Sequence, residues 1–195
     1  EQALRKPSSA GPPMPGVVLK ILDDSGRELP PGTPGLIYIH QPATPDFSYV
    51  GNAEARARME AGGLKTMGDI GYLDDDGFLF IVDRQADMVI SGGVNIYPVE
   101  IEIVLQGMPG IADCAVFGIP DDEFGEALAA AIQPSPDAGA GLTAEAVRAW
   151  LHGRVAGYKV PKVISLHEQL PREDTGKIFK RKLREPYWAG RQRRV

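Results

Sequence analysis

A glycine and a lysine lie next to each other near the C-terminal end of the sequence, in the segment D-T-G-K of residues 174–177. Gly176 can adopt a positive φ, so this loop can present the Lys177 side chain away from the body of the protein. A flexible ammonium group at a loop tip can reach an anionic group and neutralise charge that develops on it. A solvated surface lysine fits the same segment. A phosphate-cradling P-loop does not, because the G-x-x-x-x-G-K-[ST] spacing is absent.

Two further segments could contact a ligand. Asp69 follows Gly68 at the start of a predicted strand, where its carboxylate can accept hydrogen bonds from two vicinal hydroxyls such as those of a ribose. The loop of Ser91, Gly92 and Gly93 has no bulky side chain, so a thin ligand could pass close to its backbone. A turn residue at position 69 and a purely structural glycine turn are the alternatives, and the residues alone leave them open.

Acidic and histidine residues lack the spacing of a metal site. The run D-D-D-G of residues 74–77 is predicted to be a β-turn, since position 12 of a calcium loop beginning at Asp74 would be Gln85 and not a glutamate. The three histidines have neither metal-ligand spacing nor the order of a Ser-His-Asp triad. The sequence therefore predicts no metal site.

The elements that would position these residues divide into two parts. Up to residue 83, short β-rich runs alternate with turn segments rich in Gly, Pro and Asp, which predicts a small unit of twisted hairpins. Residues 54–60 are predicted to form a short helix that ends at Gly62 and Gly63.

From residue 88 onwards, helices and strands interleave, which predicts a compact α+β domain with a three-stranded sheet. Pro98 suits the first turn of one helix, and Thr143 suits the N-cap of a second. A basic helix over residues 178–184 follows.

Composition limits the classes of function. With 195 residues and 43% hydrophobic content, the chain can bury an ordinary core, and no apolar run approaches the length of a membrane span. The single cysteine, Cys114, lies in an apolar run and favours a reducing, cytoplasmic setting. Residues 172–195 are locally basic, but aromatic residues are not interleaved there as a nucleic-acid surface needs.

Together, these segments resemble the C-terminal part of the acyl-adenylate-forming enzymes, which include acyl-CoA synthetases, luciferases and peptide-synthetase adenylation domains. The resemblance rests on G-D-I-G-Y-L-D-D-D-G-F, D-R-x-x-D, S-G-G-x-N-I-Y-P-x-E-I-E and L-P-R-x-x-x-G-K, and it covers roughly residues 11–195. The third motif and the ending Y-W-A-G-R look most like bacterial fatty or steroid-type acyl-CoA ligases.

The resemblance implies a role for several residues. Asp69 would hold the ribose hydroxyls of ATP, with Arg84 as their second ligand and Ile81 packing nearby. Lys177 would bridge the substrate carboxylate and the α-phosphate as the adenylation lysine. One departure from the family lies beside this site, where Met67 replaces the usual threonine before Gly-Asp.

The same resemblance implies a CoA site and a hinge. Ser91, Gly92 and Gly93 would border the pantetheine tunnel, and Tyr158 and Lys162 would face the CoA nucleotide. Ala86 would be the hinge, although the family usually has Asp or Lys there. The implied organisation is an incomplete β subdomain of the large N-terminal domain at 1–83, a hinge at 84–87 and a mobile C-terminal domain at 88–195.

The expected activity is that of an ATP-dependent acyl-CoA ligase, which uses Mg-ATP, a carboxylic acid (a fatty acid in the first instance) and CoA as substrates. Since no phosphate loop or acyl-binding domain is visible, we expect a missing N-terminal domain in a longer protein, and these 195 residues alone to be inactive. No tightly bound cofactor, nucleic acid or transmembrane segment is expected. The alternatives are an adenylation domain that loads a carrier protein and a non-catalytic binding or assembly module.

Overall fold

The computed structural model describes residues 6–42, 59–138 and 141–191. The chain forms two compact units, Glu1–Ala86 and Asp87–Val195, and each is described by itself. The second unit combines three helices with a mostly antiparallel sheet, so the α+β class predicted from the sequence is confirmed. No helix in the described ranges is long and apolar enough to cross a membrane.

The first unit is a five-stranded sheet, as far as the described residues show it. The strands are β1 (Val18–Leu22), β2 (Gly35–His40), β3 (Glu60–Ala61), β4 (Leu64–Leu73) and β5 (Leu79–Arg84). They are antiparallel, in the order β1-β2-β4-β3 with β5 beside β4. The apolar residues Ile21, Leu22, Ile37 and Ile70 are buried.

The acidic run between β4 and β5 is a turn, as predicted. The Gly77 N–H donates to the Asp74 carbonyl at 2.9 Å, and Gly77 has a φ of 77°. The Asp74 carboxylate accepts the N–H groups of Asp76 and Phe78 and pairs with the Lys6 ammonium, which lowers the pKa of Asp74. A helix was predicted over residues 54–60. Residues 54–58 lie outside the described residues, and Glu60 lies in β3.

The second unit is a sheet with helices on both faces. Apolar residues alternate between the two faces of β8 (Ile111–Asp121) and β9 (Gly125–Pro134), so Val116 and Ala130 pack in one cluster while Phe117 and Ala129 pack in the other. The first cluster also contains Ile101 of α1 (Pro98–Gln106) and Val147 and Leu151 of α2 (Ala144–Leu151). The second is covered by Leu170, Ile178 and Leu183. Coverage of both faces explains why these strands read as almost continuous apolar runs.

The bounds of these elements are β6 (Val89–Ser91), β7 (Val94–Ile96), α1 (Pro98–Gln106), β8 (Ile111–Asp121), β9 (Gly125–Pro134), α2 (Ala144–Leu151), a 3₁₀ turn (Gly157–Lys159), β10 (Val163–Leu166) and α3 (Lys180–Trp188). Strands β8 and β9 form a long antiparallel hairpin, and β10 lies parallel to β9.

Two sequence predictions need correction. The second sheet has five strands rather than three in the described ranges. Residues 89–91 join it through the pairing of Ser91 with Gly125, and residues 94–96 turn back at Gly92 and Gly93 and pair with residues 89–91. Helix α3 begins at Lys180 and not at Ile178, because Ile178 is held in an extended bridge opposite Arg172. The predicted N-cap is confirmed, since the Thr143 hydroxyl accepts the Ala146 N–H at 3.2 Å.

The thiol of Cys114 gives a direct test of this packing. It is 3% exposed on β8, and burial, followed by the nearby charges of Glu102 and Asp113, raises its pKa to about 12. A neutral, buried thiol reacts slowly with disulfide reagents. We expect no rapid reaction with Ellman's reagent at pH 8 in the folded chain, and one equivalent in guanidinium chloride. Rapid reaction of the native protein would contradict the described position of β8.

Candidate functional site

Asp69 and Arg84 lie opposite each other on neighbouring strands of the first unit. They are register partners in the pairing of β4 with β5, and the Arg84 Nε lies 3.2 Å from the Asp69 Oδ1. The side chains are 33% exposed for Asp69 and 64% exposed for Arg84, so a ligand can reach both. The two strands therefore present a carboxylate acceptor and a guanidinium donor side by side. Two adjacent hydroxyls of a ligand can donate to the first and accept from the second.

The backbone beside this pair is fixed by local contacts. Gly68 has a φ of 81°, and its N–H donates to the Thr66 hydroxyl at 3.0 Å. The Gly68 carbonyl accepts the Gln85 N–H at 2.8 Å, which closes the end of the strand pair next to Asp69. The side chains of Met67 and Ile81 are exposed, and Ile81 lies opposite Gly71. The role of Ile81 beside a nucleotide stays a prediction.

Ala86 lies between two fixed neighbours. On one side, the Gln85 N–H is held by Gly68 within the first unit. On the other side, the Asp87 carboxylate pairs with the Arg184 guanidinium at 3.3 Å within the second unit. The short link between these two contacts is the position where the sequence predicted a hinge.

Lys177 follows a tight turn in the second unit. Within that turn, the Gly176 N–H donates to the Glu173 carbonyl at 2.8 Å, and the Glu173 N–H donates to the Lys177 carbonyl at 2.8 Å. Gly176 has a φ of 84°, as this turn requires of the residue before the lysine. The Lys177 side chain is exposed, and it makes no ion pair or hydrogen bond within the described part of the chain.

The predicted glycine turn connects β6 to β7 and contacts an aromatic ring. The Gly92 N–H donates to the Phe124 carbonyl at 2.9 Å, and Ser91 pairs with Gly125. A Cβ at Gly92 would lie 3.2 Å from the Phe124 ring, so the absence of a side chain there permits the close approach. The structure therefore brings this turn against the β8–β9 turn.

Lys162 lies at the same turn. Its Nζ is 2.6 Å from the Asp121 Oδ2 and 5.1 Å from the Phe124 ring centroid. The hydrogen bond from Lys162 lowers the pKa of the Asp121 carboxyl. Phe124 is 44% exposed, so an aromatic face and an ammonium group are both open to a ligand. The predicted residues Gly92 and Lys162 are thus near neighbours.

Tyr158 occupies the 3₁₀ turn four residues before Lys162, and its side chain is exposed. The neighbouring Lys159 ammonium lies 6.0 Å from its ring centroid and pairs with Glu100. No contact places Tyr158 beside Phe124, so a shared site for these two aromatic residues stays a prediction.

Two features are not among the predicted site residues. Phe124 is the first, although an aromatic residue between Glu123 and Gly125 is a local signal for it. Glu102 is 9% exposed, and its Oε1 accepts the Val116 N–H at 2.7 Å and lies 2.8 Å from the Lys180 Nζ. No local pattern could have identified that buried pair, because its members are far apart in the sequence.

Metal ligands are not clustered. In residues 6–42, 59–138 and 141–191, no group of three or more His, Cys, Asp or Glu side chains could hold a metal ion.

The chain is similar to a known domain family and to several ligases. Residues 100–177 match the model of the AMP-binding enzyme C-terminal domain family. A fatty acid–[acyl-carrier-protein] ligase, ScoC of Streptomyces coeruleorubidus, is 38% identical over 96% of this chain and 36% of its own length. A feruloyl-CoA synthase of an Amycolatopsis species is 40% identical over 93% of this chain and 36% of its own length.

A solved structure shows the same likeness. ATP-bound MatB from Rhodopseudomonas palustris aligns with a TM-score of 0.84 at 35% identity, over 92% of this chain and 36% of the MatB chain. The chain thus spans about a third of the length of the relatives it matches.

The turn before Lys177 can be tested by its backbone. A Cβ at Gly176 would meet no atom within 4 Å, so Gly176→Ala would suffer only from the positive φ. We expect a loss of about 1 kcal/mol in the free energy of unfolding of the second unit. Urea denaturation followed by the fluorescence of Trp150 and Trp188, both in this unit, measures it.

Gly157→Ala is the matched control, because its Cβ is also unobstructed and its φ is not in the left-handed region. It should be neutral or slightly stabilising, since alanine restricts the unfolded chain. Equal losses in both variants would contradict the described turn.

Proposed function

We propose that the whole protein activates a carboxylic acid with ATP and transfers the acyl group to CoA, because residues 100–177 match the AMP-binding enzyme C-terminal domain family. The observation that carries the proposal is the Lys177 ammonium, which is unpaired among the described residues at the tip of a loop whose backbone is held by hydrogen bonds. An ammonium group without a protein partner is available to contact a substrate. A restrained backbone keeps the Cα of the lysine in one position.

In the first half-reaction, a carboxylate oxygen attacks the α-phosphorus of Mg-ATP. The bond from that phosphorus to the pyrophosphate oxygen breaks, and acyl-AMP and pyrophosphate form. Negative charge builds on the α-phosphate oxygens, and Lys177 lowers the barrier by neutralising it. The Asp69 carboxylate accepts hydrogen bonds from the ribose hydroxyls while Arg84 donates to their oxygens.

In the second half-reaction, the CoA sulfur attacks the acyl carbon as its thiol proton passes to solvent. The bond from that carbon to the AMP oxygen breaks, and AMP leaves. We assign Ser91, Gly92 and Gly93 to the border of the pantetheine channel. Phe124 and Lys162 provide a face for the adenine and a cation for a phosphate, and Tyr158 belongs to the same nucleotide-binding surface.

The acid and the nucleotide of this proposal are chosen from the relatives. They include a fatty acid ligase and a feruloyl-CoA synthase, so we take a fatty acid as the first acid to assay and an aromatic acid as the second. MatB holds ATP in its solved structure, and we propose the same nucleotide for this protein.

A second candidate differs only in the acyl acceptor. ScoC is named as a ligase for an acyl carrier protein, which favours a carrier-bound phosphopantetheine arm over free CoA. Such an arm lacks the adenosine part of CoA, so Phe124 would have no base to stack against. A non-catalytic assembly module is the remaining alternative, and we expect the 195 residues alone to form neither acyl-AMP nor thioester.

The adenylation role of Lys177 is tested by Lys177→Ala in the full-length protein. We expect at least a hundredfold loss in acyl-AMP formation, measured by ATP–pyrophosphate exchange, which corresponds to about 2.7 kcal/mol of transition-state stabilisation. Thioester formation from preformed acyl-AMP should change little.

Lys182→Ala is the control for this experiment, because Lys182 is also an exposed lysine of the same unit but lies within α3. It should exchange pyrophosphate at the wild-type rate. Equal losses of both half-reactions in Lys177→Ala would argue against the assignment.

The CoA surface is tested by Phe124→Ala. Loss of the aromatic face should raise the KM for CoA about tenfold, since a base–aromatic stack is worth about 1–3 kcal/mol, while pyrophosphate exchange is unchanged. Phe124→Tyr should retain the wild-type KM. If only a loaded carrier protein accepts the acyl group and Phe124→Ala leaves that transfer intact, the carrier is the acceptor.

A further inference from the structure

Arg172 joins the lysine loop to the central sheet of the second unit. Its Nη1 donates to the Gly176 carbonyl at 2.9 Å, and its Nη2 lies 2.6 Å from the Asp113 Oδ2. Asp113 belongs to β8, and its other carboxylate oxygen accepts the Cys114 N–H at 2.9 Å. We propose that Arg172 is a positioning residue, which holds the backbone of Lys177 at the reach that acyl-AMP formation requires.

The contact falls on the peptide group that immediately precedes Lys177. The Gly176 carbonyl belongs to the peptide group that joins Gly176 to Lys177, so fixing this oxygen fixes the orientation of that peptide. The Lys177 carbonyl is fixed independently by the Glu173 N–H. Both peptide groups that flank Lys177 are therefore restrained, while its side chain stays free.

The geometry requires an arginine. A guanidinium is planar, and two of its nitrogens can donate in a fixed relation to two acceptors, which here are a backbone carbonyl and a carboxylate. A lysine ammonium would keep the charge but could not span both acceptors in the same way. Because the partners are 59 residues apart in sequence, the contact also determines where the loop lies on the sheet.

The site is open enough to be tested by chemical rescue. Arg172 lines a shallow polar groove of about 560 Å³ together with Gln169, Leu170, Pro171, Lys182 and Leu183. Shortening Arg172 to alanine would leave space that a free guanidinium ion can enter from solvent. An ammonium ion would lack the second donor and should not replace it.

The inference rests on the proposed function, because its readout is the adenylation half-reaction. In the full-length protein, Arg172→Lys should lower the kcat of ATP–pyrophosphate exchange about tenfold. The KM for ATP and thioester formation from preformed acyl-AMP should stay near wild-type values. Arg172→Ala should lose at least as much kcat and regain part of it in millimolar guanidinium, but not in ammonium.

A double substitution separates positioning from direct contact. If Arg172 acts through Lys177, then Arg172→Lys combined with Lys177→Ala should be no slower than Lys177→Ala alone. Multiplying losses would instead mean that Arg172 contacts the substrate itself, and the inference would be overturned.

Asp113→Asn provides a second variant should Arg172 substitutions fail to fold, and it should give a smaller loss of the same kind. Arg154→Ala is the control, because Arg154 also donates to a backbone carbonyl, that of Trp150 at 2.7 Å, but not in the lysine loop. It should leave pyrophosphate exchange unchanged.

The outcomes distinguish the two proposals. If Lys177→Ala is selective for adenylation but Arg172→Lys and Asp113→Asn behave as wild type, the positioning role is wrong and the proposed function stands. If Lys177→Ala is not selective, the proposed function itself fails.

Discussion

The antiparallel pairing of β8 with β9 is the interaction on which the second unit depends. Alanines at positions 129, 130 and 131 are buried in the middle of β9, where small side chains allow helices to pack closely on both faces of the sheet. Three candidate functional segments of the second unit are attached to this hairpin, each by a different contact. The lysine loop is attached through Arg172 and Asp113, the glycine turn through Phe124, and Lys162 through its own N–H to the Leu128 carbonyl at 2.9 Å.

Buried carboxylates supply part of this attachment. A carboxylate removed from water is costly unless hydrogen bonds and a cation satisfy it. Glu102 meets this condition with the Val116 N–H and the Lys180 ammonium, and it thereby links α1, β8 and the start of α3. Glu126 is 5% exposed, and its carboxylate accepts the Ile90 N–H at 3.2 Å. Strand β6 pairs with β9 only at Ser91 and Gly125, so this hydrogen bond adds a second attachment of β6 to β9. These groups fix which segments lie together more than they add to stability.

Local features of this fold could be predicted from the sequence, and contacts between distant segments could not. The turn at residues 74–77, the N-cap at Thr143 and the loop before Lys177 follow from residue types at adjacent positions, and each has its expected hydrogen bonds. Asp69 and Arg84 were paired by family resemblance, and the register of β4 and β5 places them 3.2 Å apart. Strand β7 was missed because three residues after a glycine turn carry too short a pattern to indicate a strand.

The candidate sites share one physical arrangement, in which fixed peptide groups carry exposed charged side chains. Preorganised backbone reduces the reorganisation needed when a substrate binds, and an exposed side chain avoids the cost of burying a charge before a partner arrives. Fixed contacts also flank Ala86, where the family resemblance predicts a hinge. The Gln85 N–H is held by Gly68, and the Asp87 carboxylate is held by Arg184. Neither contact involves the side chain of residue 86, so the predicted hinge would not depend on a charged side chain at that position.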